Sequence, residues 1–570
     1  MGTELKPRAA AVSLICLLAT VLPAPGADTS RRDLTYTIAP VRSQGVFSAV
    51  DISVSFLLPA PTVNLSLPSE YAGAADLDAR IHDLRVSGGA ASLAATEDSS
   101  KKTISGTAGQ RVTLSYRLDA DPAMKLTHPQ YFEPIIKPTF FFLIGASALA
   151  VPDLGAATYN VHLRWQSVGG ADAYGDSFGI QKPASDAIID GNRISNLLFF
   201  GGDYRFQRIT GIGNPVTVAT YGTWSFSDAA FAKMLERVLG IERRFWRDDP
   251  NPYFVVVLLP SDEQAGNFGG TGYTNAFALY LPRATALDGQ IAYEIAHEYF
   301  HTWNPRRLMR LRAPQAAESW FHEGFTDYYA YDLLLRAGVL SPDSYFASLN
   351  RNIATFAASG AAGVTNDEYV KHPFESALYS IPYRRGALLA FRWNARIRAL
   401  THGRRSLDDA MRGLLVRHGE LPEYSNADLA RYFDRWTNNE AGTDIERFID
   451  RGERLDPPAD GFGTCAERVQ VSVNRWVLGF DEAATTQAKN IVTGVQNGSA
   501  AFAAGLRNGQ ELIGESIYYN DVRQPIVLSV LANGRPRRIE YSARGDSVLT
   551  FAYRAREPAG AFRACYAALS

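Results

Sequence analysis

The stretch His297-Glu298-Tyr299-Phe300-His301 constrains this chain more than any other. On an α-helix, residues four apart share one face, so His297 and His301 can point at a single metal ion. Glu298 stands one step round, close enough to take a proton from a water at the metal without binding the metal itself. Two neutral imidazoles holding a redox-inert Lewis acid, with a free carboxylate beside them, are the parts of a hydrolytic zinc site. The flanking residues support a helix. Ala292, Ile295, Ala296, Phe300 and Trp303 recur at helical spacing, Asp288 or Gly289 can open the helix, and Pro305 closes it.

A catalytic zinc takes three protein ligands and keeps one position open. Downstream, Trp320-Phe321-His322-Glu323-Gly324-Phe325-Thr326-Asp327-Tyr328-Tyr329 begins a second helical run and offers Glu323 as third ligand. Asp327, four residues on, is placed to accept the free ring N–H of a ligating histidine and fix its tautomer. His322 points elsewhere on such a helix, as a packed or surface histidine.

The two stretches HEYFHTWN and WFHEGFTDYY together resemble the glycyl-aminopeptidase family of gluzincin metallopeptidases, distant relatives of thermolysin and aminopeptidase N. The resemblance implies one Zn2+ per chain on His297, His301 and Glu323, with Glu298 as general base and Asp327 supporting a histidine. It also implies a thermolysin-like fold and a peptide or protein substrate. Leu378-Tyr379-Ser380-Ile381-Pro382-Tyr383-Arg384-Arg385-Gly386 resembles the Tyr-x-x-Gly segment of aminopeptidase relatives, whose tyrosine donates to the oxyanion. Tyr383 matches better, with Tyr379 as the fallback.

One departure bears on specificity. Family members carry a glycine-rich strand with a glutamate that grips the substrate's amino group, where this chain reads Gly269-Gly270-Thr271-Gly272-Tyr273-Thr274-Asn275-Ala276. Gly272 and Tyr273 stand in place of Glu-His, so the charge partner for an α-ammonium is gone. Gly269, Gly270 and Gly272 can still hold an extended peptide by main-chain hydrogen bonds. Aminopeptidase action with altered amino-terminus recognition, endopeptidase action, and a peptide-binding protein with a merely structural zinc all remain open. A second hydrolase pattern, Gly175-Asp176-Ser177-Phe178-Gly179, lacks the preceding apolar strand and following helix that a nucleophile elbow needs, and reads as a loop.

The rest of the chain sorts into four parts. Residues 1–27 read as a secretory signal: Lys6 and Arg8, an apolar run from Ala9 to Leu22, then small residues. The run is short for a membrane span, so the mature protein is expected to be exported, periplasmic or secreted, with no transmembrane span. Residues 28–214 alternate short β-rich segments (Thr35–Ile38, Ala49–Leu58, Val63–Leu67, Arg111–Leu118, Tyr159–Trp165) with turns, as in an antiparallel sandwich-like domain. Residues 215–455 carry the metal motif, strand-bearing first and then helical over Ser227–Trp246, Gly386–Arg398 and Ser406–Arg417.

Residues 456–570 resemble a PDZ domain. Leu478, Gly479 and Phe480 match its carboxylate-binding loop, which implies a chain terminus as ligand, and Gly498 to Gly509 match its loop-helix-turn segment. Once the signal is removed only Cys465 and Cys565 remain, bracketing this module, a spacing suited to a disulfide staple in an oxidising compartment. A formal net charge of −2 argues against a nucleic-acid partner. The cluster Arg306, Arg307, Arg310 and Arg312 could meet an anionic substrate group, though more often such a run is a solvated face or an internal ion-pair set.

Overall fold

The computed structural model describes residues 32–168, 173–263, 267–308, 315–373, 375, 377–417, 424–556 and 558–569. The signal segment, Arg310 and Arg312 lie outside them. Contacts divide the chain into two units. One contains Arg237–Arg247 with the described residues after Leu287, the other the described residues up to Glu236 with Asp248–Leu287. This division falls elsewhere than the sequence boundary near 214.

In the unit of earlier residues, hydrophobic alternation builds the sheets. Strand Arg32–Ser43 buries every second residue from Leu34 to Pro40 and pairs antiparallel with Val46–Leu57. Six strands form this sheet, and one contact departs from the antiparallel expectation: Arg32–Ser43 runs parallel to Thr158–Trp165. More than a hundred residues separate the two in sequence, so no hairpin imposes their direction. Leu34, Tyr36, Ile52, Val54, Leu114 and Val161 make the core beneath.

Gly175–Gly179 is a tight turn between short strands Ala173–Asp176 and Gly179–Ile180. The Ser177 hydroxyl is buried there, accepting from the Leu198 N–H at 3.0 Å. A second sheet of the unit places the buried strand Phe254–Ser261 beside Ala276–Pro282, and the glycine-rich strand Gly269–Tyr273 at the edge, antiparallel to the latter. Gly269, Gly270 and Gly272 are all buried on that edge strand.

The other unit is mainly helical around the motif helix Gly289–Phe300, whose N-cap Asp288 accepts from the N–H groups of Gln290 and Ile291. Its inner face meets aromatic partners: Trp303 stacks on Trp246 at 5.8 Å and Phe300 on Tyr329 at 5.3 Å. Helices Gly324–Arg336 and Ile381–Thr401 cross so closely that side chains are excluded at the crossing. A Cβ on Gly324 would lie 2.4 Å from the Gly386 Cα, and one on Gly386 would lie 1.8 Å from the Trp320 carbonyl oxygen. The residue types at this point are set by backbone proximity, not by turn chemistry.

The same unit ends in a module with its own core, including Trp476, Phe480, Ala501, Leu528 and Ile539. Strand Ala466–Trp476 pairs with Arg544–Ala555, and a three-stranded sheet joins Glu511–Ser516, Pro525–Ala532 and Arg535–Ser542. Gly479 has φ +83°, and a Cβ there would meet Ala501 at 2.8 Å, so only glycine suits the turn. After Phe480 the chain enters a short helix, Glu482–Gln487, where a peptide-accepting groove would need an extended strand. The carbonyls of Leu478 and Gly479 are taken up internally, by the Tyr541 hydroxyl and the Gln496 N–H.

Cys465 and Cys565 are disulfide-bonded across 100 residues. In the chain-entropy account, closing a loop of that length stabilises by about 4.7 kcal/mol. The bond ties down the final helix, Ala559–Leu569, whose Tyr566 hydroxyl donates to Asp332 on the Gly324–Arg336 helix. Among the described residues no helix is long and apolar enough to cross a membrane.

Candidate metal centre

Local structure delivers the three donor side chains separately. His297 sits in the last turn of the motif helix and His301 at its C-cap, still with helical backbone angles. Glu323 comes from the other run, at the junction of Ser319–His322 and Gly324–Arg336, where it keeps helical backbone angles and its N–H and carbonyl still bond to Ser319 and Asp327. This junction lies at the Gly324–Gly386 crossing.

The donor atoms converge. His297 Nε2 lies 3.1 Å from His301 Nε2 and 3.2 Å from Glu323 Oε2, and His301 Nε2 lies 3.5 Å from the same oxygen. A tetrahedral zinc with bonds near 2.0–2.1 Å requires ligand atoms about 3.3–3.4 Å apart. The triangle therefore fits the ion without rearrangement, and the donor set of two nitrogens and one oxygen suits it chemically.

Each donor is held from behind. His297 Nδ1 is 3.0 Å from Asp327 Oδ1, which also accepts from the Tyr293 hydroxyl. His301 donates from Nδ1 to the Asn304 carbonyl at 2.7 Å, leaving Nε2 for the centre. The Asn304 side chain is fully buried and donates to the Phe321 carbonyl and Thr326 Oγ1, both at 3.2 Å. It thereby straps the end of the motif helix to the segment carrying Glu323.

His322 corrects the sequence reading. It is buried, but it does not point away: its Nδ1 lies 3.0 Å from Glu323 Oε1. With Oε1 held by His322, Glu323 presents Oε2 alone to the two histidines. Neither His322, Asn304 nor Tyr293 was singled out from the sequence as support for the site. The one visible signal was their adjacency to the two motifs.

Electrostatics agree with a site built for a cation. Burial disfavours a charged His297, but its bonds to Asp327 and Glu323 outweigh burial and raise its pKa well above the usual histidine value. Burial likewise opposes ionisation of Glu323, yet His301, His297 and His322 hold it well below the usual carboxylate range. Glu298 is 4% exposed, and its Oε1 has no hydrogen-bond partner. A buried carboxylate oxygen left unpaired is costly unless something polar meets it in the working protein.

Tyr383 lies over the centre, its ring stacked on that of His297 with centroids 5.8 Å apart. Its hydroxyl is 3.3 Å from that of Tyr379. Burial, then the nearby Glu323 charge, push the Tyr383 pKa well above its ordinary value, so the phenol stays neutral and able to donate. The glycine-rich edge strand and the loop at Leu478–Phe480 belong to other parts of the fold described above.

The family model for M61 glycyl aminopeptidases matches residues 291–372, which include all three donors. Among solved structures, an aminopeptidase N family protein from Idiomarina loihiensis superposes with a TM-score of 0.70 at 14% identity, over 94% of this chain and 100% of the other. That likeness establishes a shared fold. An M1 zinc metallopeptidase from Deinococcus radiodurans gives a TM-score of 0.48 at 14% identity, over 77% of this chain and 97% of that one. A search of curated protein sequences returns no match.

Proposed function

We propose that the chain is an exported zinc metallopeptidase of the gluzincin type, hydrolysing peptide bonds at a single Zn2+ held by His297, His301 and Glu323. The observation that carries this reading is the triangle of donor atoms at zinc spacing beside the partnerless oxygen of Glu298. The matches to a glycyl-aminopeptidase family model and to an aminopeptidase N family fold support it.

When bound, zinc would supply Lewis acidity, bringing the pKa of a water towards about 7. Glu298 takes the proton of the attacking water on its unpaired oxygen and returns it to the leaving amine. The Tyr383 hydroxyl donates to the carbonyl oxygen as negative charge builds there, an interaction strongest in the transition state. Asp327 fixes the His297 ring through Nδ1, so the metal meets a constant tautomer.

The family match supports aminopeptidase action, and Gly272 and Tyr273 support a changed grip on the substrate's amino terminus. An extended peptide along Gly269, Gly270 and Gly272 belongs to the same reading. Residues 456–570 we read as PDZ-like, on the Gly479 turn and the helix Ala500–Ala503. These residues support the fold and not a ligand at Leu478–Phe480.

The deciding experiment digests a peptide library, with free and N-acetylated members, using wild type and Glu298→Gln at equal zinc content. The expected result is zinc retained in the variant with hydrolysis lost, and a wild type that works on free amino termini. A fully active Glu298→Gln would overturn the assignment, and equal cleavage of acetylated peptides would make the enzyme an endopeptidase.

A further inference from the structure

The final helix, Ala559–Leu569, has 11 residues, and an isolated helix shorter than about 12–15 residues is marginal in water. It stays formed by packing. Phe562 and Tyr566, four apart and so on one face, are both buried. The Phe562 ring meets that of Phe346 at 4.9 Å, and the Tyr566 ring meets that of Phe462 at 5.6 Å. Between these two residues stands Cys565, half-buried and bonded to the fully buried Cys465. The Cys465 carbonyl accepts from the Arg556 N–H at 3.0 Å. The disulfide therefore fastens the helix back to the end of the strand Arg544–Ala555 that leads into it.

The surface under this helix is charged. Asp332 is fully buried, with Oδ2 2.6 Å from Arg336 Nη2, while Arg336 Nη1 lies 2.6 Å from Asp408 Oδ2. One guanidinium thus serves two buried carboxylates, an arrangement that needs further donors to offset the cost of burial. The Tyr566 hydroxyl is such a donor, to Asp332. Burial pushes the Asp332 pKa up, and Arg336 and the Tyr566 hydroxyl oppose that shift. Arg563 adds a second tie, donating from Nη2 to the Leu340 carbonyl at 3.0 Å.

The same cluster adjoins the metal centre. Asp332 and Arg336 lie in the last turns of the helix Gly324–Arg336, which starts next to Glu323 and carries Asp327. Tyr329, between them, donates to Asp408 Oδ1 at 3.3 Å and stacks its ring on Phe300 of the motif helix at 5.3 Å. A helix held at both ends leaves less for zinc to order when it binds.

We propose that Cys465 and Cys565 form a redox latch on the metal centre: closing the disulfide seats the final helix on Asp332, and the seated helix raises the affinity for zinc. The inference rests on the zinc reading above. The step is thiol–disulfide exchange with a small-molecule disulfide. The Cys565 thiolate, on the half-buried side, attacks that disulfide and releases one small thiol. The Cys465 thiolate then attacks the Cys565 sulfur of the mixed disulfide and releases the second. Two electrons pass from the cysteines to the acceptor, and their two protons leave on the two thiols. In the dithiol state the helix has only its own packing to hold it, and Asp332 loses a donor whenever it lifts.

The test measures zinc affinity by chelator competition on the full chain, under conditions where urea unfolding shows each protein folded. The double variant Cys465→Ser/Cys565→Ser keeps the latch open. It should bind zinc about 5- to 150-fold more weakly than the oxidised wild type, the usual range of coupling between two sites. Tyr566→Phe, with the disulfide intact, should show part of the same loss. Hydrogen exchange in the double variant should quicken over residues 559–569 and 324–336, while the strand Pro525–Ala532 keeps its protection. Wild-type zinc affinity in the double variant would overturn the proposal and leave the bond a stabiliser of the fold alone. A loss in the double variant that Tyr566→Phe does not share would also overturn it. If the double variant does not fold, the Tyr566→Phe affinity decides. Peptide hydrolysis by the oxidised wild type is followed in parallel. Absent hydrolysis with zinc affinity still dependent on the latch removes the peptidase reading alone, whereas hydrolysis with latch-independent affinity removes the latch alone.

Discussion

Replacing Gly386 by alanine should damage the centre through a clash well away from any reacting atom. The added Cβ would stand 1.8 Å from the Trp320 carbonyl oxygen, where real Cβ contacts essentially never fall below 3.0 Å. The obstacle is backbone, with no flexible side chain to swing aside, so the two helices must part by about 1.2 Å. One of them carries Tyr383 a turn earlier, and the other segment carries Glu323 three residues beyond Trp320. Overpacking of this kind costs about 1–3 kcal/mol of stability, whereas misplacing a reacting group by about 1 Å can cost about 100-fold in rate. Activity should therefore fall much further than stability. The assay is kcat/KM on a peptide substrate beside urea unfolding, with Gly360→Ala as control because nothing lies within 4 Å of its Cβ position. A Gly386→Ala protein with wild-type turnover and stability would refute the claim that this crossing sets the distance between Tyr383 and the metal centre.

Two other outcomes follow from the geometry. Substituting His322 by leucine removes the bond to Glu323 Oε1 and should weaken zinc about 10- to 100-fold in a chelator competition, with His322→Asn recovering part of the loss. Unchanged affinity in both variants would leave His322 a packing residue. The raised pKa of His297 means that, below that pKa, zinc must displace its proton. Binding should release a proton into weakly buffered solution, and apparent affinity should climb as pH rises; a pH-independent affinity would contradict the protonated metal-free state.

Much of the centre was legible because its signals are local. The motif helix follows from apolar spacing and the Asp288 cap, and Glu323 and Asp327 follow from their own spacing. His322 was misread because its ring turns back to Glu323 Oε1, a rotamer choice that no periodicity reveals. Asn304 was missed for a related reason. Its carbonyl holds His301 within one turn, but its amide reaches residues 321 and 326, which no periodicity reveals. The same limit explains the parallel pairing of Arg32–Ser43 with Thr158–Trp165: alternation identifies a strand and its buried face, not its neighbour or direction.

The central claim is that hydrolysis depends on one zinc held by His297, His301 and Glu323. Titrating zinc into metal-free wild-type protein while following cleavage of a free-amine peptide tests it most directly. Activity should rise in proportion to added zinc and level off at one equivalent per chain. Hydrolysis that is present before zinc is added, or that never appears at full occupancy, would contradict the account.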